Sequence, residues 1–361
     1  MRLLMLPRYD ALGASSRLRM LQYLPALQSA GIDVEVSPLL DDAYVSDLYS
    51  GRVSIMRVAR SYSQRLRRTR SLDQFDVVWM EKEAWPWLPD WLELPLLGGS
   101  TRLVVDYDDA VFHRYDAHRS PLVRGLLGRK IDAVMLRANL VTVGNDYLAE
   151  RARSAGAARI EWLPTVVDLQ RYPAAAPAHD NAPVVVGWIG SPSTAEYLRQ
   201  VGDALAPLQD EGLIRCVAIG ARPDQVASTP FHAAEWQEDT EVAQLQRFDI
   251  GIMPLPDEPW ERGKCGYKLI QYMACGLPVV ASPVGVNTDI VEPGKHGFLA
   301  SSTGEWAEAI RSLTMDANLR RRMGNWGRRR VEQTYCLQAQ AGRLVDMLSA
   351  VASGDGVACA G

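Results

Sequence analysis

Short apolar or β-branched runs recur at Leu3–Leu6, Val34–Val36, Val77–Met80, Leu103–Asp106 and Leu140–Val143, separated by longer stretches whose apolar residues follow helical spacing. Strands alternating with helices predict a parallel, doubly wound sheet. The pattern lapses from Tyr172 to Pro183, where YPAAAPAHDNAP has no periodicity and is rich in proline and alanine, as interdomain connections are. It restarts at Val184–Ile189, Cys216–Ile219, Ile250–Leu255 and Pro278–Ala281. The expected organisation is α/β: a Rossmann-like domain over residues 1–172, a linker at 173–183 and a second Rossmann-like domain over 184–335. Residues 336–361 should then form a C-terminal helix, centred on Gln338–Val351, that packs back on the first domain, while Arg311–Tyr335 reads as one basic helix. Two such domains are expected to face each other across a cleft, because ligands of open α/β sheets bind at the carboxyl ends of the strands. No repeat at a solenoid period interrupts this reading.

Length and composition agree: 361 residues suit two domains at roughly 150 residues each, and 47% hydrophobic with 23% charged residues excludes extensive disorder. The net charge of -4 conceals a basic stretch in which Arg52, Arg57, Arg60, Arg65, Arg67, Arg68 and Arg70 occur with no acidic residue between them. Interleaved Val53, Ile55, Met56, Val58 and Leu66 suit an amphipathic helix on an anionic membrane surface better than a nucleic-acid contact; a solvated helix face is the alternative. The five cysteines, Cys216, Cys265, Cys275, Cys336 and Cys359, are odd in number and have no CxxC spacing, so neither zinc nor a redox disulfide is expected. Free thiols fit a reducing cytoplasm, and Met1–Asp10 is too short for a leader or a spanning helix. The expected location is cytoplasmic, peripheral to the inner face of a membrane if residues 52–70 dock there.

The segment from Trp260 to Val286, WERGKCGYKLIQYMACGLPVVASPVGV, carries the strongest chemical signal. Arg262, Gly263, Lys264 and Gly266 precede an expected helix Tyr267–Ala274, so small residues, cations and free amides meet at a helix N-terminus that can hold a phosphate. Gly276 ends that helix before a buried strand. Arg262 and Lys264 are otherwise two surface cations, and Lys268 a solvated lysine of the first turn. Gly190 and Ser191, at the end of the first strand of the second domain, offer amides to the same phosphates, with Ser193 a helix N-cap. In the first domain, Asp106, Asp108, Asp109 and His113 lie just beyond a buried strand in VVDYDDAVFHRYD, with helix capping the other reading for Asp106 and Asp109. Glu81 follows another strand end, and Gly13 with Arg17 forms the first loop, a candidate acceptor-side contact that a tight turn and a surface arginine would explain equally well.

Gln271–Ala281, QYMACGLPVVA, resembles the donor-site signature of family 4 glycosyltransferases, commonly EAMACGxPVVA; LPTVVDLQRY at Leu163–Tyr172 and GWIGSPST at Gly187–Thr194 extend the likeness. The resemblance implies a GT-B fold and retaining transfer from a UDP- or GDP-linked sugar, held mainly by the second domain, to a hydroxyl of a cell-envelope glycan, polysaccharide or lipid-linked acceptor. No metal and no resident cofactor are expected, and nucleic acid is not a partner. It further implies that Trp236 borders the nucleobase, a core tryptophan being the other reading. Gly285, Val286 and Asn287 would approach the transferred sugar, Glu81, Asp106 and Asp108 would line the acceptor side, and Asp109 or His113 would orient or deprotonate the acceptor. Lys264 and Lys268 would stabilise the departing diphosphate.

The chain departs from that pattern, for the family's two glutamates, eight positions apart, fall on Gly263 and Gln271. Glu261 is the nearest acidic substitute for the first, and a glutamine still accepts from a hydroxyl at the second. A GT-B nucleotide-sugar 2-epimerase and a non-catalytic nucleotide-sugar-binding module are the alternatives. Neither domain opens with GxGxxG, which counts against a nicotinamide-dependent dehydrogenase.

Overall fold

The computed structural model describes residues 1–52, 54–173 and 183–354. All but the end residues of the expected linker at 173–183 lie outside that range, as does Cys359. The described chain forms two compact units: one comprises Met1–Thr165, Gly263–Cys265 and the stretch from Ala339, the other Val166–Arg262 and Gly266–Gln338.

The first unit is built on β1 (Arg2–Leu6), β2 (Asp33–Val36), β3 (Val77–Glu81), β4 (Leu103–Tyr107), β5 (Leu140–Val143) and β6 (Ile160–Trp162), in the order β2-β1-β3-β4-β5-β6. Every pairing is parallel. Central strands β3, β4 and β5 are buried along their whole length, because helices cover both faces, which is why they read as uninterrupted apolar runs. Chain order reverses between β1 and β3, which makes their carboxyl ends the switch point.

The second unit repeats the plan with β7 (Val184–Ile189), β8 (Ile214–Ile219), β9 (Phe231–Ala234), β10 (Ile250–Met253), β11 (Val279–Ala281) and β12 (Gly297–Leu299), ordered β12-β11-β10-β7-β8-β9 and again parallel. Its switch point lies between β7 and β10. Trp188, Ile250, Ile252 and Val280 from the sheet pack with Leu198, Leu205, Ile310 and Leu313 from the helices in one core.

Some expected elements differ in the structure. The basic helix expected over Arg311–Tyr335 is two helices, Thr303–Met315 and Ala317–Thr334, broken where the Asp316 carboxylate caps the second by accepting from the Leu319 amide at 2.9 Å. The strand expected over Ile250–Leu255 stops at Met253, as prolines follow. In the basic stretch, Ile55–Arg68 is helical, but Arg65 is buried and donates to the Pro7 and Ser37 carbonyls. Arg68 is paired with Glu35, and Arg57 with Asp41 and Asp47. Exposed Arg52, Arg60, Arg67 and Arg70 remain, beside exposed Ile55 and Met56. Among the described residues no helix is long and apolar enough to cross a membrane.

Candidate functional site

In the first unit the candidate residues gather at the switch point. A side chain at Gly13 would place its Cβ 2.2 Å from that of Tyr9, so the turn after β1 closes tightly and delivers Ser15 and Ser16 to Glu81 at the end of β3. The Glu81 carboxylate is fully buried and accepts from the Arg8 amide at 2.8 Å and from both serine hydroxyls. Asp106 is also fully buried, fastened by two bonds to Arg19 at 2.6 and 2.8 Å and by one from Thr142 at 2.6 Å. The acceptor-side role expected of Glu81 and Asp106 therefore does not suit their placement: both brace the loops from inside. Arg17, on the same turn, donates to the Ala11 carbonyl.

Lys82 follows β3 with a φ of 62°, a left-handed backbone conformation that costs a non-glycine residue on the order of 1 kcal/mol or more. That conformation aims its ammonium at the Asp108 carboxylate, 2.7 Å away, and at Ser15 Oγ, 2.9 Å away. The sequence places Lys82 beside Glu81 at a buried strand's end, within the charged triplet Glu81–Glu83, but assigns it no role.

Asp108 is thus ionised and neutralised, whereas no donor among the described residues reaches the half-buried carboxylate of Asp109. Burial first and the Asp108 charge second push Asp109 up to about 6, against the pull of Lys82 and Lys264. Lys264 belongs to this unit with Gly263 and Cys265: its carbonyl accepts from Asn145 at 3.0 Å, and the Cys265 thiol faces the Asp108 carbonyl. His113 has both ring nitrogens engaged, Nδ1 with Asp116 at 2.8 Å and Nε2 with the Tyr147 hydroxyl at 2.7 Å, so it has no nitrogen to spare for a ligand in this arrangement. Asp109 is the carboxylate left available. Four of the cysteines, Cys216, Cys265, Cys275 and Cys336, are buried free thiols.

In the second unit the carboxyl ends of β7, β8 and β10 carry the other half of the residues. A Cβ at Gly190 would meet Trp188 at 2.4 Å and the Lys268 Cε at 2.9 Å, and one at Gly220 would strike the Gly190 carbonyl, so two glycines let the lysine lie over the strand ends. The Lys268 ammonium stands 4.8 Å from the Trp188 ring centroid and 3.5 Å from Thr194 Oγ1, beside the hydrogen-bonded pair Ser191 and Ser193. Gly266 caps the helix Tyr267–Ala274 in the left-handed region, with φ 65°, and has no room for a side chain beside Ile290 and Val286. The positive end of that helix's dipole lies at Gly266, with Lys268 in the first turn. Gly285, also left-handed at φ 52°, packs on the Arg262 carbonyl at a would-be Cβ distance of 2.6 Å, which brings the Gly285–Asn287 loop against the helix entry. Asn287 is buried and donates to the Ser282 carbonyl. Arg262 is ion-paired to Asp257 at 2.7 Å on the surface.

Trp236 is 39% exposed and so is not a core tryptophan; its indole N–H donates to Glu241 at 2.7 Å. The same carboxylate accepts from Gln271 at 2.8 Å, and Gln271 in turn reaches the Tyr172 hydroxyl at 2.9 Å. Glu241 carried no signal in the sequence, because thirty residues separate it from Gln271. Glu261, the expected acidic substitute, is buried and accepts from the Tyr197 hydroxyl. Gly263 has no space for any side chain: a Cβ there would lie 2.5 Å from the Ala110 Cβ and 2.7 Å from its amide nitrogen.

Residues 183–316 match the family of Glycosyl transferases group 1. The chain is similar to spore coat protein SA of Bacillus subtilis (strain 168), 32% identical over 78 residues that make up 21% of each chain. It is similar also to D-inositol 3-phosphate glycosyltransferase of Corynebacterium jeikeium (strain K411), 29% identical over 121 residues, 33% of this chain and 24% of that one. The matches thus span about a fifth to a quarter of the length of these relatives. Over nearly its whole length the fold is similar to HepE from Anabaena in complex with UDP and glucose, with a TM-score of 0.73 at 16% identity, covering 97% of this chain and 99% of that one. Two parallel six-stranded sheets in this order give the chain the GT-B fold, and residues 183–316 of the second unit are similar to Glycosyl transferases group 1.

Proposed function

We propose that the chain moves a hexose-type sugar from a UDP- or GDP-linked donor to a hydroxyl of a cell-envelope glycan, polysaccharide or lipid-linked acceptor, with retention and without a metal. The observation that carries this reading is Lys268 lying over Gly190 at the mouth of β7, in the first turn of the helix that opens at Gly266, where a diphosphate would meet a cation and the positive end of the helix dipole. HepE, similar in fold, is in complex with UDP and glucose, which supports a nucleotide-sugar donor. In the reaction the acceptor oxygen bonds to the anomeric carbon, the bond from that carbon to the diphosphate oxygen breaks, and the acceptor's proton passes to Asp109. Lys268 and the positive end of the helix dipole hold the departing diphosphate, with Lys264 as a further cation, and Trp236 borders the base. Retention rests on the resemblance to family 4. Exposed Arg52, Arg60, Arg67 and Arg70 beside Ile55 and Met56 suit docking on an anionic membrane face, which binding to anionic but not neutral liposomes at low salt would test.

Calorimetric titration of UDP, GDP, ADP and dTDP, with and without magnesium, tests the donor site. One nucleotide should bind independently of the metal and about tenfold or more weaker to Lys268→Ala, with a smaller loss in Lys264→Ala. Failure of all four to bind would overturn the transferase reading. Incubation of the matching nucleotide sugar without acceptor separates the 2-epimerase alternative, which would convert the donor.

A further inference from the structure

Among the described residues, two that are not glycine take left-handed backbone angles, Lys82 at φ 62° and Trp87 at φ 67°, and both lie in the loop that runs from β3 to the helix Asp90–Leu96. Side chains with a Cβ resist that region; such strain persists where the surroundings enforce it, and it gathers at ligand-binding loops. The first of the two aims the Lys82 ammonium at Asp108. The second turns an indole outward: every residue from Lys82 to Pro86 is buried, whereas Trp87 is 49% exposed.

The surroundings hold Trp87 in that pose. Its amide donates to the Tyr115 hydroxyl at 3.1 Å, that hydroxyl donates to Glu83 at 2.8 Å, and Glu83 is fastened by the buried Lys130 at 2.6 Å. The Tyr62 hydroxyl donates to the carbonyl of Pro86, just before it. Tyr115 and His118, both beyond β4, stand edge to face with the indole, their ring centroids 5.3 and 5.8 Å away. The His118 ring accepts the Ser120 amide at Nδ1, which leaves Nε2 to carry the proton and to donate. A rigid, half-open aromatic surface with a hydrogen-bond donor at its rim, on loops that leave the strand ends beside the switch point, suits the apolar face and the hydroxyl edge of a sugar ring.

Charge separates a sugar from an anionic group. At these strand ends Lys82 is matched by Asp108, Lys130 by Glu83 and Glu93, and Arg8 by Glu83, while the charge of Arg114 bears on Asp109. These cations are not in surplus over the carboxylates, so a phosphate would meet no net positive field from them. Resting on the transferase reading above, we propose that Trp87 is the stacking platform of an acceptor subsite for an uncharged pyranose ring, with His118 donating to a hydroxyl of the stacked ring, so that the acceptor is a glycan.

The test is fluorine NMR of the fluorotryptophan-labelled full chain, in which the Trp87 signal is the one missing from Trp87→Phe, titrated with maltotriose, cellotriose, chitotriose and mannotriose, with and without UDP or GDP. At least one trisaccharide should shift the Trp87 signal, and its calorimetric affinity should fall about tenfold in Trp87→Leu but stay within about threefold of wild type in Trp87→Phe, which keeps a ring. His118→Ala should weaken the same sugar by about fivefold to tenfold. Trp87→Gly takes the left-handed turn without strain and serves if Trp87→Leu does not fold. Arg119 and Arg124, exposed beyond His118, make an anion the rival occupant, so inorganic phosphate and phosphatidylglycerol vesicles are titrated alongside. A Trp87 signal moved by phosphate or vesicles but by no sugar, or a sugar bound equally well by folded Trp87→Leu or Trp87→Gly, would overturn the proposal. Wild type that binds a nucleoside diphosphate but none of the four sugars would overturn it and leave the donor reading intact, whereas a sugar on Trp87 with no nucleotide bound would support the platform and remove the donor site.

Discussion

Replacing Asp109 with asparagine should make the protein more stable at neutral pH while crippling its activity. The Asp109 carboxylate is carried from an ordinary value of 3.8 up to about 6 by burial and by Asp108, with Lys82 and Lys264 only partly offsetting them. Since each unit is worth about 1.4 kcal/mol, holding this group ionised costs the fold at most ~3 kcal/mol, and solvent reaching a half-buried group reduces that to ~1–2 kcal/mol. Its folded value lies above its unfolded value, so the folded state binds more protons between the two, and stability falls as pH rises through that window. The cost is absent below about pH 4 and complete above about pH 6, with roughly half already in force near pH 5.

Asp109→Asn removes it. Urea unfolding near pH 8 should show the variant more stable by ~1–2 kcal/mol, and near pH 5 by about half as much. The same substitution should lower kcat by ~10²- to 10⁴-fold without changing nucleotide affinity, as expected for loss of a positioned base. In wild type, the acid limb of kcat/KM should lie near pH 6, where Asp109 becomes a carboxylate. A variant that is less stable near pH 8, or gains equally at both pH values, would refute the claim that this carboxylate is held at a cost.

Three further substitutions test the surrounding architecture. Gly263→Ala must force its methyl against the Ala110 backbone, 2.7 Å away, and should lower unfolding free energy by ~1–3 kcal/mol, whereas Gly304→Ala, with open space in the helix Thr303–Met315, should be neutral or stabilising by up to ~1 kcal/mol in the same urea titration. Lys130→Met strips the fully buried ammonium that bridges Glu83 at 2.6 Å and Glu93 at 2.8 Å. It should destabilise by ~3–5 kcal/mol, and by less at pH 5 than at pH 8, because Glu93, left without its cation, can then take up a proton while Glu83 keeps Arg8 and Tyr115.

The sheets were readable where physics makes a strand conspicuous. β3, β4 and β5 are buried on both faces and so are apolar without interruption, but β6, β9 and β12 escaped notice. These lie at or near the sheet edges, run only three or four residues, and carry Glu161, His232 and Gly297 where periodicity looks for apolar side chains. The break at Asp316 was missed for a related reason: a single capping carboxylate interrupts two helices whose combined pattern reads as one. The helix Tyr267–Ala274 was visible because Gly266 and Gly276 bound it, and both are left-handed. Partnerships were not visible. Nothing in a linear sequence ties Lys82 to Asp108 or Glu241 to Gln271, since each pair is joined only by where the strands end.

Those partnerships change what the departures from the family 4 pattern mean. Read as letters, glycine at 263 and glutamine at 271 are two lost glutamates. In the fold, Gly263 sits so close to Ala110 that even a methyl is excluded, so the loop cannot take back a glutamate without moving. That close approach is also what sets Lys264 near enough to Asp109 to pull on its charge. At the second position the charge has not vanished but stands one hydrogen bond away, on Glu241. The buried carboxylate and the buried amide satisfy each other, where an unpaired partner would cost ~1–3 kcal/mol. The same physics explains why Asp109 can be held at a cost: stability is given up at the carboxylate proposed to take a proton, and is recovered where Lys82 pairs with Asp108.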